Sequence, residues 1–469
     1  MRLNTQSIQA PRTQPPASSI QYPTQPTLRQ WIVLVCLFLL SLPAVTPRIY
    51  SSDEIQYFAY LRSLWFDHDL SFENEYRYFY DRGIAQSEGF RETFLEFQTD
   101  TGHRINFGTI GCAILWSPFY ALADLVARVT GAPRDGFSAP YLAGVAYGSA
   151  VYGFLALVLA IWCASRLGFN AFTGALAVWT GTPLLFYMYV APPFSHACSA
   201  FGVALFTWAW LRVRGEWSPR GMAALGASGA LMLMVREQDA FFALPVALDY
   251  GLWALSSPKP KVRSLLSAAA AFAIVYAPQA AAYLIINGHL GPHASVGNKM
   301  QWWGPHALQE MFSPEHGYFI WTPLAMIGIA GLAALAFRRT TEATFLLLMV
   351  ALQIYIGGSV ASWTVAGGFG QRRLVSISAA LVIGFAAVWY MARGRPARAI
   401  LTAVTLLAVY WNLALTAEFA TGLMDRQRLE PPKNAYHAFV TLPRMVPALA
   451  YRYFFDRSSF YQRANPVPR

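Results

Sequence analysis

The sequence predicts an all-α, polytopic membrane bundle of about eleven spans, with the N-terminus inside and the C-terminus outside. Three observations predict it. The 469 residues are 55% hydrophobic and only 13% charged, against about 25% charged in a soluble domain. Apolar windows long enough for about 30 Å of hydrocarbon recur at 29–47, 140–165, 171–190, 193–212, 220–235, 240–255, 264–286, 319–337, 343–361, 374–392 and 399–418. With the N-terminus inside, every inner loop is basic: Arg166; Arg212, Arg214 and Arg220; Lys259, Lys261 and Arg263; Arg338 and Arg339; Arg393, Arg395 and Arg398. The formal charge of +11 is therefore read as membrane orientation, and nucleic acid is not an expected partner. The 15 Trp, 24 Tyr and 32 Phe suit interfacial belts. Compactness points to a bacterial inner membrane.

Residues 1–28, rich in Gln, Pro, Thr and Ser, read as a disordered cytoplasmic tail. Trp31 to Val45 lacks a small-x-small cleavage site and is expected to be a retained first span. The transmembrane domain then covers 29–418, and 419–469 is an outer tail. Two further outer segments are long, 48–139 and 287–318. The first holds 11 of the 24 carboxylates before its apolar part. "INFGTIGCAILWSPFYALADLVARV", 105–129, is apolar enough to cross, but counting it would invert every later loop. It is therefore expected to lie along the outer surface. Cys36, Cys112, Cys163 and Cys198 all fall in apolar segments, without metal or disulfide spacing.

The stretch "VTPRIYSSDEIQYFAYLRSLWF", 45–66, sets two carboxylates just past the first span. Ser51 and Glu54 have the spacing of a capping box, which gives Glu54 a sufficient structural job. It accounts for Asp53 only generically, through the helix dipole. Ile55, Phe58, Ala59, Trp65 and Phe66 recur at helical spacing, so this helix is expected on the membrane surface with Asp53 at the headgroups.

A long first outer loop that opens on an Asp-Glu pair and carries two surface helices, 53–66 and 105–129, resembles the GT-C superfamily. These are polyprenyl-phosphate-sugar-dependent glycosyltransferases, among them protein O-mannosyltransferases and aminoarabinose transferases. The resemblance covers most of 29–418 and rests on topology as much as on short motifs. It implies that Asp53 is the general base, that transfer inverts the anomeric carbon in one displacement, and that the substrates are a lipid-linked sugar donor and a glycan, lipid or protein acceptor. A lipid phosphate is already a weak base, so no general acid is required, in contrast to the two carboxylates of a glycosidase. One carboxylate plus cations suffices.

Candidates for those cations and for substrate contacts follow. "GGFGQRRLVSIS", 367–378, sets Gln371, Arg372 and Arg373 on the outer face, against the charge bias, and guanidinium forks suit phosphate. Snorkelling is the plainer reading of the pair. "LMVREQDAFFALP", 233–245, puts Arg236, Glu237 and Asp239 between two short spans, where polar groups should face a cavity or form an ion-paired turn. Arg236 is similar in topological place to a family arginine. "SPEHGYFIWTP", 313–323, offers Glu315 and His316 for a loop closing over sugar or phosphate. Some family members use divalent ions, which makes a divalent metal a candidate cofactor and His289 and His293 of "HLGPH" its candidate ligands, although two histidines around Gly-Pro also suit a polar turn. Several members carry a second acid between the third and fourth spans. Here "YVAPPFSHACSAF" has His196 instead, so either His196 positions a substrate or Glu237 or Asp239 supplies the acid. A transporter or flippase of lipid-linked sugars is the rival class, and would place ionisable residues at mid-membrane. A non-catalytic lipid-binding subunit is a third.

Overall fold

A computed structural model of the chain describes residues 24–257, 262–338, 340–365, 367–456 and 459. Lys259, Lys261, Arg339 and most of the expected N-terminal tail lie outside the described residues. Among the described residues, all regular structure is helical apart from two isolated bridges, Gln98 with Arg104 and Met300 with Val360. The principal helices are α1 (Leu28–Ser41), α2 (Ser52–Arg62), α3 (Gly111–Thr130), α4 (Ala139–Arg166), α5 (Phe172–Gly181), α6 (Leu184–Tyr189), α7 (His196–Val213), α8 (Pro219–Val235), α9 (Ala243–Ser256), α10 (Val262–Asn287), α11 (Leu324–Phe337), α12 (Thr341–Ser359), α13 (Ser378–Met391), α14 (Arg395–Thr421) and α15 (Leu442–Phe455).

Six stretches among the described residues are long and apolar enough to cross a membrane: α3, α4, α10, α12, the run Arg372–Met391 that includes α13, and α14. Leu28–Ala44, α8 and α11 are apolar but shorter. The window 171–190 is broken into α5 and α6 at Thr182–Pro183, where the Thr182 hydroxyl donates to the Val178 carbonyl. The ends of this broken helix are held by α1 and the segment that follows it: Asn170 donates to Gln30 of α1 at one end, and the Thr46 amide donates to the Tyr189 carbonyl at 2.8 Å at the other.

Helices α11 and α13 cross with their backbones nearly touching. A Cβ at Gly384 would lie 1.9 Å from the Gly328 carbonyl oxygen, and one at Gly331 1.9 Å from that of Gly384. Small residues permit such approach, which is how helices associate where water supplies no hydrophobic drive. At one end of the bundle Arg166, Arg214 and Glu342 line a common cleft, and Arg214 also binds Asp249 at 2.8 Å. The opposite end, called the site end below, carries the N-terminus of α2 and the loops 287–318 and 360–371.

The first helix of the long outer loop is covered differently from the expected form. Ile55, Phe58 and Ala59 of α2 are fully buried, but against protein: Phe58 meets Phe79, Tyr120 and Phe137 edge-on or tilted, with centroids 5.8–6.3 Å apart. Helical spacing shows that a face is covered but not by what. Most of segment 105–129 forms α3, which starts at Gly111 and has by length and composition the apolarity of a span that its sequence already shows. It leans along α4, with the Trp116 indole donating to Ser149 at 2.8 Å and Tyr141 donating to Asp124 at 2.6 Å. The C-terminal region is also ordered against the bundle: Asn434 donates to the buried Glu418 of α14 at 2.6 Å, and Tyr410 to the Ala438 carbonyl.

Candidate active site

Ser51 begins α2 as its N-cap, and the capping box forms as its sequence spacing predicts. The Glu54 amide donates to the Ser51 hydroxyl at 3.4 Å, and Glu54 Oε2 accepts from the Ser51 and Tyr50 amides at 2.9 and 2.8 Å. Glu54 is fully buried and its Oε1 has no partner. Burial pushes its carboxyl up to about 8, against the pull of the two amides and the hydroxyl. One residue earlier on the helix, Asp53 points elsewhere. Its side chain stays 42% exposed, and its Oδ2 meets Arg372 Nη2 at 3.0 Å.

That pair joins two segments more than 300 residues apart in sequence. Arg372 lies in a short 3₁₀ turn, Arg372–Ile377, leading into α13. Its guanidinium is seated over the Phe194 ring, 5.2 Å from the centroid. The preceding loop is fixed from three sides: Phe369 exchanges 3.1 Å hydrogen bonds with the Tyr187 hydroxyl, His316 Nε2 meets the Gly368 carbonyl at 3.0 Å, and buried Gln371 donates to the Trp363 carbonyl. Gly370, at φ +57°, makes the turn, and the side chain Gln371 Oε1 is left without a partner.

Two more arginines close round this point. Arg236, at the end of α8, is 8% exposed and reaches the Arg373 carbonyl at 3.4 Å. Its other arm donates to Gln238, whose carbonyl is held by Gln353 of α12. Arg373 donates to the carbonyl and hydroxyl of Ser362 at 2.9 and 3.1 Å. His196 starts α7 packed between Tyr187 and Phe194, with its Nδ1 unpartnered and Arg236, Arg372 and Arg373 all within electrostatic reach. The structure thus brings together Asp53, His196, Arg236, Gln371, Arg372 and Arg373.

Other candidates lie further from the pair. Asp239 is buried, accepts from Ser199 at 2.6 Å, and is pushed up to about 6 by burial. Glu237 is pushed up to about 7 by burial, and its electrostatic neighbours are Tyr60 and Tyr276 rather than the arginines. Neither acid bonds Arg372. His316 is buried, stacks on Trp321 at 4.7 Å and is driven down to about 4, chiefly by burial, so it acts as a neutral strut. Glu315 is exposed on the same turn. His293 caps Ala294–Gly297, its Nδ1 accepting from the Ser295 amide, and His289 is exposed. No group of three His, Cys, Asp or Glu side chains converges among the described residues.

Sequence reading missed Glu310. It is fully buried with both carboxylate oxygens unpartnered, facing Arg373, and burial raises its carboxyl well above the usual range. Gly357 of α12 makes the space: a Cβ there would lie 2.0 Å from Oε1. As one acid in a polar loop, Glu310 offered no spacing signal. The only hint was the Gly357–Gly358 pair ending a span. Tyr57 was also missed. Its hydroxyl lies near Ser195 and within electrostatic reach of both Asp53 and Arg236, and burial keeps it protonated.

The cluster therefore offers one accessible carboxylate beside three guanidiniums, with a second, buried acid behind them. No family model matches this chain, and no curated protein sequence matches it either.

Proposed function

We propose that the protein is a membrane glycosyltransferase of the GT-C type, moving a sugar from a polyprenyl-phosphate donor to an acceptor at the outer face of a bacterial inner membrane. In this reading the chain makes eleven passes, N-terminus inside and C-terminus outside, so that the site end faces outward. The observation that carries it is the 3.0 Å pair of Asp53 and Arg372, set among Arg236 and Arg373. An exposed carboxylate beside clustered cations meets the needs of displacement at a phosphate-activated sugar. Gathering these groups at one end of the bundle also favours interfacial chemistry over translocation, which calls for ionisable groups at mid-depth.

The donor phosphate is held by Arg372 and Arg373, whose forks suit its oxygens. Asp53 accepts the proton of the acceptor hydroxyl as that oxygen bonds to the anomeric carbon. The bond from carbon to phosphate oxygen breaks with its electron pair leaving on polyprenyl phosphate, and the configuration inverts. Arg372 has two roles in sequence: alone it orients Asp53, and with donor bound it turns to the phosphodiester's negative oxygens, freeing Oδ2 for the acceptor, and then neutralises the second charge that develops on the departing polyprenyl phosphate.

The test is purified full-length protein supplied with a polyprenyl-phosphate sugar and candidate acceptors. Release of polyprenyl phosphate in step with a product of inverted configuration is expected. Retained configuration, or sugar-lipid crossing vesicles without any transfer, would overturn the reading.

A further inference from the structure

Glu310 has no part in the reaction as drawn above, yet it is built into the site end with care. It sits on a helical turn, Ala307–Phe312, within the outer loop 287–318. That loop is laid against the end of α12. The His306 amide donates to the Gly358 carbonyl at 2.8 Å, the Gln301 amide to the Ser359 carbonyl at 2.6 Å, and the Ala361 amide to the Lys299 carbonyl at 2.8 Å. Two glycines permit the approach: a Cβ at Gly358 would lie 2.7 Å from the Ala307 amide nitrogen, and one at Gly357 would meet Glu310 Oε1. The carboxyl is lodged in this slot, fully buried, with neither oxygen hydrogen-bonded. A buried acceptor left without a partner is costly, so the group calls for a use.

Arg373 supplies one. It donates to Ser362 and acts electrostatically on Glu310, while Arg372, Arg236 and Asp53 act on Arg373 in turn. Other titratable groups on the elements packed against Glu310 are engaged elsewhere. His306 on its own turn stacks on Trp363 at 5.5 Å, and Tyr355 of α12 donates to the Trp302 carbonyl at 2.7 Å. Tyr318 is kept protonated by burial, and Glu342 binds Arg214 at the far end of α12. We propose that Glu310 is a positioning residue of the donor site that shares Arg373 with the donor phosphate: in the empty site its carboxylate can stand opposite the guanidinium, and a bound phosphate favours the protonated acid. The inference rests on the transferase reading, which puts the phosphate on Arg373. The proton comes from solvent, and no other bond changes. Burial raises the carboxyl to about 8, and Arg373 pulls it back. Phosphate cancels that pull and adds its own negative charge, so the acid is raised further. Phosphate affinity is therefore full below about 8 and falls as pH rises through it.

The experiment measures binding of fluorescent polyprenyl phosphate, and of the neutral polyprenol, to full-length protein in neutral detergent between about pH 7.5 and 9.5. A phosphate monoester loses its second proton near pH 6, so the charge of the probe is constant. Wild-type affinity for the phosphate should fall about tenfold over this range. Glu310→Gln, which matches the protonated acid in shape, should hold its affinity flat, and Arg373→Ala should bind weakly with a flat profile. Should Glu310→Gln melt early, wild type alone decides: binding at about pH 8.5 should take up close to one proton, read by an indicator dye in weak buffer. No uptake, a flat wild-type profile, or a uniform loss in Glu310→Gln with the wild-type slope intact would overturn the proposal and leave the transferase reading standing. Phosphate bound no more tightly than polyprenol at any pH would remove the donor phosphate from this cluster, and both readings with it.

Discussion

Asp53 and Glu54 are sequence neighbours with opposite surroundings, and the difference comes from which way one helical turn points them. Glu54 turns inward to its own cap and loses water; Asp53 turns outward to Arg372. For Glu54 the sign of the pH effect follows from burial. Its folded value of about 8 lies above the ordinary 4.5, so the folded protein keeps a proton that the unfolded chain has released. The contribution to stability is full below about 4.5 and is lost as pH rises through about 8. Thermal unfolding of wild type should therefore fall relative to Glu54→Gln across that window; parallel profiles would show that Glu54 does not titrate there. For Arg372, removing the charge-assisted bonds to a phosphate should cost about 1.5–3 kcal/mol, or roughly ten- to hundredfold in donor affinity. Arg372→Lys should restore only part of it, because the fork is lost. Unchanged donor affinity in Arg372→Ala would remove the phosphate from this site.

Among elements, the capping box, the broad helical pattern and the "GGFGQRR" loop were legible in sequence, because each depends on local spacing or on a stretch of hydropathy. What covered an apolar face was not legible: Ile55 and Phe58 face Tyr120 and Phe137 rather than lipid. Nor was the meeting of Asp53 with Arg372, since long-range pairing leaves no periodic trace. Helix crossings fall between these cases. "GIAGLA" in α11 and Gly384 in α13 signal close approach, but only coordinates show Gly384 against the Gly328 carbonyl. Backbone cannot yield as a side-chain tip can, so Gly384→Ala should cost about 1–3 kcal/mol or more by overpacking. Gly251→Ala in α9, with nothing within 4 Å, should be neutral or gain up to about 1 kcal/mol from helix propensity. Thermal unfolding of the two variants in one detergent checks this, and equal melting would refute the close crossing.

For the whole molecule, alternation of the helices puts Arg166, Arg214 and Glu342 at one end and the Asp53 cluster at the other. The proposed sides of the membrane rest on the basic loops alone. A reporter fused after residue 430 should be active outside, and one near Lys261 in the cytoplasm; the reverse would put the proposed chemistry on the wrong face. The central claim is that the carboxylate paired to Arg372 is the base, and the capping carboxylate beside it is not. The most direct measurement is the rate of sugar transfer by purified Asp53→Asn and Glu54→Gln, with donor binding and thermal unfolding followed alongside. Asp53→Asn should bind donor and fold as wild type does but lose about 10²–10⁴-fold in turnover, while Glu54→Gln keeps most of its activity. Near-normal turnover by Asp53→Asn, or equal losses in both variants that track equal losses of stability, would contradict the account.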